Sequence, residues 1–114
     1  WLELRDRLAE ADVVVDQLFM GWYGMVAVEA MACGKPVLCF IRPDFEPRLH
    51  DCPIVRCTIE TLEPRLAALL ESPDRCREFG GEGRAYVKRE HAAQVVAERL
   101  LTLYRSLEES ASRA

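Results

Sequence analysis

Three consecutive β-branched residues, Val13-Val14-Val15, stop at an acid, Asp16, and a second apolar run, Val37-Leu38-Cys39-Phe40-Ile41, opens directly behind Gly34-Lys35-Pro36. Short, continuous apolar runs of this kind suit strands covered on both faces, as in parallel sheets. Between them Met25, Val28, Glu29, Met31 and Ala32 follow a helical pattern from Gly24. Gly34 ends that pattern as a left-handed cap, and Pro36 forbids its continuation. Strand, loop, helix, glycine stop and strand fit into about thirty residues, the size of one βαβ unit, for which a right-handed crossover is expected. No feature constrains the fold more: two parallel strands need a helix across one face, so the chain is α/β.

The remaining residues extend this frame. Leu4, Leu8 and Ala11 give residues 1–10 the look of the end of an amphipathic helix, and Ala11–Asp16 contains the first strand. Residues 17–23 form a loop, and residues 42–52, with Pro43, Asp44, Pro47 and Asp51, form another at the surface. Ile54–Cys57 reads as a short third strand. Thr58 is the expected cap of a helix reaching about Glu71, with Leu62, Leu66, Leu69 and Leu70 on one face. Ser72-Pro73-Asp74 is a strong helix start, and that helix should run to about Arg89, weakened or kinked at Gly80-Gly81. The last helix carries Ala92, Val95, Val96, Arg99, Leu100, Leu103, Tyr104 and Leu107 at steps of three and four, before a frayed tail over Ser110–Ala114. The expected architecture is a small parallel sheet flanked by helices, Rossmann-like, in a single domain over 1–114.

Composition narrows the function classes. The 114 residues are 50% hydrophobic and 30% charged, an ordinary globular balance. Fifteen Lys and Arg against nineteen Asp and Glu leave a net charge of −4, with no basic stripe for nucleic acid. The longest uncharged stretch, Gln17–Val28, is too short and too broken by glycine to span a bilayer. The first residue is Trp and no signal-peptide pattern follows, so the chain reads as a piece of a longer, cytoplasmic protein. Cys33, Cys39, Cys52, Cys57 and Cys76 include no Cys-x-x-Cys pair, and neither His50 nor His91 stands at zinc-ligand spacing. Reduced thiols packed as small hydrophobes are expected, Cys33 and Cys39 in the core, with no metal.

Chemistry concentrates at residues 16–35. A strand ends in Asp16, the loop Gln17–Gly24 follows, and the next helix has no charged side chain in its first turn, Met25-Val26-Ala27-Val28. In open α/β sheets ligands bind beyond the carboxyl ends of the strands, where this loop lies. Unpaired amides and the positive dipole end suit a phosphate there, and Gly24 lets backbone approach it closely. Glu29 stands among apolar residues five positions on, roughly 7 Å along the axis. It is placed to accept two ribose hydroxyl hydrogen bonds, or to pair with a nearby Lys or Arg at the domain edge.

Gly21-Trp22-Tyr23-Gly24-Met25-Val26-Ala27-Val28-Glu29-Ala30-Met31-Ala32-Cys33-Gly34-Lys35-Pro36-Val37 resembles the donor-binding signature of GT-B glycosyltransferases of the group 1 type. That signature reads Glu, two residues, Gly, four residues, then Glu-Ala-Met-Ala-x-Gly-x-Pro-Val. Ser72-Pro73-Asp74, Gly83-Arg84-Ala85-Tyr86-Val87 and Leu103-Tyr104 resemble the family's closing helices, so the likeness covers nearly the whole chain. It implies the C-terminal half of a GT-B architecture, binding a UDP- or GDP-type sugar for transfer with retention to an acceptor. The acceptor-binding domain and the upstream basic residues facing the donor phosphates are absent from the 114 residues, so the chain alone should not catalyse transfer. The resemblance gives Glu29 the ribose hydroxyls and the backbone around Gly24, Met25 and Val26 the diphosphate. The family's first Glu, which contacts the transferred sugar or its leaving group, falls on Gly21, and Asp16 or Gln17 could supply a polar group instead. No cofactor is implied.

Two rival readings share these residues: half of a non-hydrolysing nucleotide-sugar epimerase, and a degenerate transferase module kept for binding or assembly, which Gly21 favours. Trp22-Tyr23 could stack on a base or pack against the domain. Lys35 is expected in solvent, and Arg42, Arg48 and His50 read as surface charge. Gly80-Gly81-Glu82-Gly83 lies within a helical pattern, unlike a phosphate loop. The last helix's stripe is core or an interdomain contact. With a domain missing, Val96, Leu100, Leu103 or Leu107 would be exposed and drive self-association.

Overall fold

The structure is a computed structural model and describes residues 2–114; Trp1, part of the expected first helix, lies outside the described residues. In chain order the elements are α1 (Leu2–Glu10), β1 (Val14–Val15), α2 (Met25–Ala32), β2 (Val37–Cys39), a 3-10 turn over Glu46–Arg48, β3 (Val55–Arg56), α3 (Leu62–Leu70), α4 (Pro73–Glu90) and α5 (Ala93–Arg113). The three strands form one parallel sheet in the order β1-β2-β3. Val14 pairs with Val37 and Val15 with Leu38, then Leu38 with Val55 and Cys39 with Arg56. The strands are shorter than the apolar runs suggested. Outside them the chains separate after isolated backbone bonds, such as Phe40 N–H to Gln17 O and Cys57 N–H to Cys39 O.

Alternation along β2 builds a core on each face. Val37 and Cys39 join Leu8, Val14, Ala27, Ala30, Met31, Ile41, Cys52, Ile54 and Tyr86. Leu38 points the other way, onto Cys57 and Leu69 with Leu62, Leu66, Cys76 and Phe79 around them. The first core carries α2 and the second half of α4, and the second carries α3 and the start of α4. All five cysteines are free; Cys39 is buried in the core and Cys33 is half-buried against it. Burial pushes the Cys39 thiol up to about 12, so it stays protonated, donating to Gln17 O at 3.3 Å.

Helix ends follow their capping chemistry with two corrections. Gly34, at φ +73, closes α2 in a Schellman motif: its N–H meets Met31 O at 2.9 Å and Lys35 N–H meets Ala30 O at 3.0 Å. Ser72 caps α4 through its hydroxyl on Arg75 N–H, with Pro73 at the first helical position. Thr58, expected to cap α3, instead heads a turn in which its N–H donates to Thr61 Oγ1 at 2.8 Å; Thr61 takes the N-cap position and α3 begins at Leu62. The expected frayed tail is helix as far as Arg113, and the Ser110 and Ser112 hydroxyls donate to the carbonyls of Ser106 and Glu108.

The glycines of α4 do not break it. The helix runs unbroken through Gly80-Gly81, and Gly80 and Gly83 are buried. A Cβ at Gly80 would overlap the Gly34 carbonyl oxygen, and one at Gly83 would come within 3.0 Å of Met31 Cγ. These residues let α4 lie directly on the end of α2. By contrast α5 buries no residue, and Leu101, Leu103, Tyr104 and Leu107 are each more than half exposed. No helix among the described residues is long and apolar enough to cross a membrane.

Candidate functional site

The loop between β1 and α2 leaves the carboxyl edge of the sheet and returns to α2 at Gly24, its N-cap, in extended backbone. The Gly24 N–H donates to Asp16 Oδ2 at 2.7 Å. A Cβ at residue 24 would stand 3.2 Å from Gln17 Nε2 and 3.7 Å from Asp16 Oδ2. Asp16, Gln17 and Gly24 thus converge at the start of α2. The carboxylate takes the capping amide, so a second anion would meet the amides of Met25, Val26 and Ala27. These open the helix with no side-chain cap and precede the first intrahelical donor.

Met25 and Val26 are exposed, and Glu29, one turn further along the same stripe, is half-buried. The opposite face, Ala27, Ala30 and Met31, is the buried one. Among the described residues no ion pair engages Glu29, so the edge pairing with a Lys or Arg does not form. The amides, the exposed stripe and this free carboxylate lie on one open side of α2.

Gly21 stands apart from that group. It is buried with φ +83, and its carbonyl accepts from Arg42 N–H at 2.9 Å. A Cβ there would overlap Arg42 Cγ and lie 3.1 Å from Arg42 Cβ. The residue therefore faces the loop after β2, while Asp16 and Gln17 face Gly24. Glycine here meets a backbone demand, for positive φ and for room beside Arg42.

Trp22 and Tyr23 pack against the domain. Their rings stack at 5.2 Å, Trp22 meets Phe45 edge-on at 5.9 Å, and Tyr23 meets Tyr86 and His91 edge-on. The Tyr23 hydroxyl bonds Tyr86 Oη at 2.9 Å and His91 Nε2 at 2.8 Å. This three-ring network ties the residue before the α2 N-cap to the junction of α4 and α5. Desolvation holds His91 below its ordinary pKa and raises those of both tyrosines, so all three are neutral at pH 7. Sequence reasoning missed it, because the partners lie 63 and 68 residues away and follow no periodicity.

The basic candidates divide. Lys35 reaches back to donate to Ala9 O at 2.9 Å in an exposed bond at the surface. Arg42 makes a two-bonded pair with Asp44, Arg56 makes one with Glu46, and both Arg42 and Arg48 lie over the Phe45 ring. A hollow of about 420 Å³ lined by Asp12, Lys35, Pro36 and Arg77 lies where β1 and β2 begin, at the far end of the strands from Gly24. Among the described residues no three His, Cys, Asp or Glu side chains group to hold a metal ion.

Comparison of the chain with models of known protein families, with curated proteins and with solved structures found no match.

Proposed function

We propose that the chain is the donor-binding half of a retaining glycosyltransferase of the GT-B, group 1 type, acting in the cytoplasm on a UDP- or GDP-sugar. The observation that carries this reading is Glu29: a carboxylate without an ion-pair partner among the described residues, on the open side of α2, one turn beyond uncapped amides. Glu29 accepts the two ribose hydroxyls, and the Met25 and Val26 amides meet the diphosphate. Gly24 keeps the backbone accessible, while Asp16 and Gln17 supply the polar groups nearest the transferred sugar. Acceptor binding and the cations that stabilise the departing diphosphate belong to a preceding domain, so the chain alone does not turn over.

Titration calorimetry with UDP, GDP and their sugars tests the reading. One nucleotide should bind, and Glu29→Gln should weaken it roughly 10- to 100-fold, the effect of losing hydrogen bonds to a charged group. A folded chain that binds none of these ligands refutes it. That result would favour a degenerate, non-catalytic module, the second reading, which the left-handed Gly21 in the acid's position supports.

A further inference from the structure

Among the described residues the loop after β2 carries an unpaired cation beside the donor loop. Between Arg42 and Arg56 two of the three acids are taken in pairs, and the third, Asp51, lines a hollow with Arg56 and Arg89. Asp44 accepts from Arg42 at 3.0 and 2.8 Å, and Glu46 accepts from Arg56 at 2.8 and 3.1 Å. Arg48, exposed at the end of the 3-10 turn, has no acid within ion-pair distance among the described residues. Its guanidinium carbon lies 5.4 Å from the centre of the Phe45 ring, and that of Arg42 lies 4.6 Å from it. Phe45 stands edge-on to Trp22, and Trp22, Phe45 and Arg48 line a concavity of about 230 Å³. The corner therefore offers two aromatic walls and one free guanidinium.

Its position ties it to the proposed donor cleft. Trp22 lies three residues before Met25, so at most about 11 Å of extended backbone separates this wall from the first free amide of α2. Arg42 N–H on Gly21 O fixes the two loops together. Where the resemblance places an acid, suited to neutral sugar hydroxyls, this chain has glycine overlain by Arg42, with Arg48 exposed nearby. A planar guanidinium suits a carboxylate.

We propose that Arg48, with Phe45 and Trp22, forms a subsite for a carboxylate on the transferred sugar, so that the donor is a nucleotide-linked uronic acid. This rests on the donor-binding reading above. Arg42 and Asp44 hold Phe45 and its loop in place, and Arg48 carries the charge that selects the acid.

The test compares UDP-glucose with UDP-glucuronate, and GDP-mannose with GDP-mannuronate, by titration calorimetry on the full chain. With the base it accepts, the acid sugar should bind about tenfold tighter than the neutral one, the contribution of one charge-assisted hydrogen bond in partly exposed surroundings. Arg48→Gln should abolish that preference and leave affinity for the bare nucleotide unchanged, with a thermal melt reporting that the exposed substitution leaves folding intact. Equal affinities for acid and neutral sugars, with nucleotide binding preserved, overturn the subsite alone. A preference that survives Arg48→Gln overturns it as well. Methyl glucuronide binding through Arg48 in the presence of saturating nucleotide would place the acid on the acceptor, also refuting the proposal. Failure of every nucleotide to bind overturns the donor reading and this inference with it.

Discussion

Replacing Gly21 should destabilise the chain for two separable reasons. The residue sits at φ +83, where a side chain costs about 1–2 kcal/mol. A Cβ there also overlaps Arg42 Cγ, whose nearest neighbour, Arg42 Cβ, is fixed to the backbone of the next loop. Relieving that overlap means turning the Arg42 side chain out, at the 1–3 kcal/mol typical of overpacking. Gly21→Ala should therefore lose about 2–4 kcal/mol, a large share of the stability of a domain this small. Urea denaturation reads the loss directly as a lowered midpoint at unchanged slope. Arg42→Ala supplies the partition: it removes the Cγ overlap and leaves only the 3.1 Å Cβ contact, so in that background Gly21→Ala should cost little beyond the backbone share, about 1–2 kcal/mol. Gly21→Glu, which restores the acid of the resemblance, should be at least as damaging as alanine and should not rescue sugar binding. A Gly21→Ala protein within about 0.5 kcal/mol of the parent would refute both the left-handed turn and the packing of Arg42 on it.

Further outcomes follow from the packing and the buried network. Gly81 has open space around its Cβ position while Gly80 abuts the Gly34 carbonyl, so Gly81→Ala should gain about 0.5–1 kcal/mol from helix propensity and Gly80→Ala should lose stability in the same thermal melt. His91 has a folded pKa below its unfolded one, so its contribution is intact above about pH 6.5 and is lost as pH falls through the folded value. Melting temperatures from pH 7.5 to 5.5 should therefore fall, and His91→Gln should flatten that decline. At the alkaline end burial raises Cys39, Tyr23 and Tyr86, so stability present below their unfolded pKa values is lost as pH rises through the folded ones; Cys39→Ser should lessen the loss. The uncovered stripe of α5 should make the isolated chain self-associate, and Leu100→Glu with Leu107→Glu should return it to monomer by sedimentation velocity.

The glycines show which parts of this molecule were legible in the sequence. Gly34 was, because a Schellman end is closed by backbone within a few residues, Lys35 N–H on Ala30 O, and Pro36 marks the exit. Gly24 was legible for a similar reason: its partner Asp16 is eight residues away, at the end of the strand that feeds the same loop. The βαβ frame rests on equally local patterns, and its strands were overextended only because an apolar run continues past the last ladder bond. Gly80 looks in the sequence like a weak point in a helix, since nothing near it reveals that Gly34 lies against it. Gly21 looks in the sequence like a missing acid, since nothing near it reveals Arg42. The same division runs through the site. Glu29 could be placed from helical spacing, but its lack of a partner depended on where every guanidinium went. Asp44 holds Arg42 in its own loop, Glu46 holds Arg56 on β3, and Glu90 holds Arg99 at the far end of α4. Whether a cation reaches the carboxylate on α2 is decided by residues distant in sequence, and among the described residues none does, which a local motif does not encode.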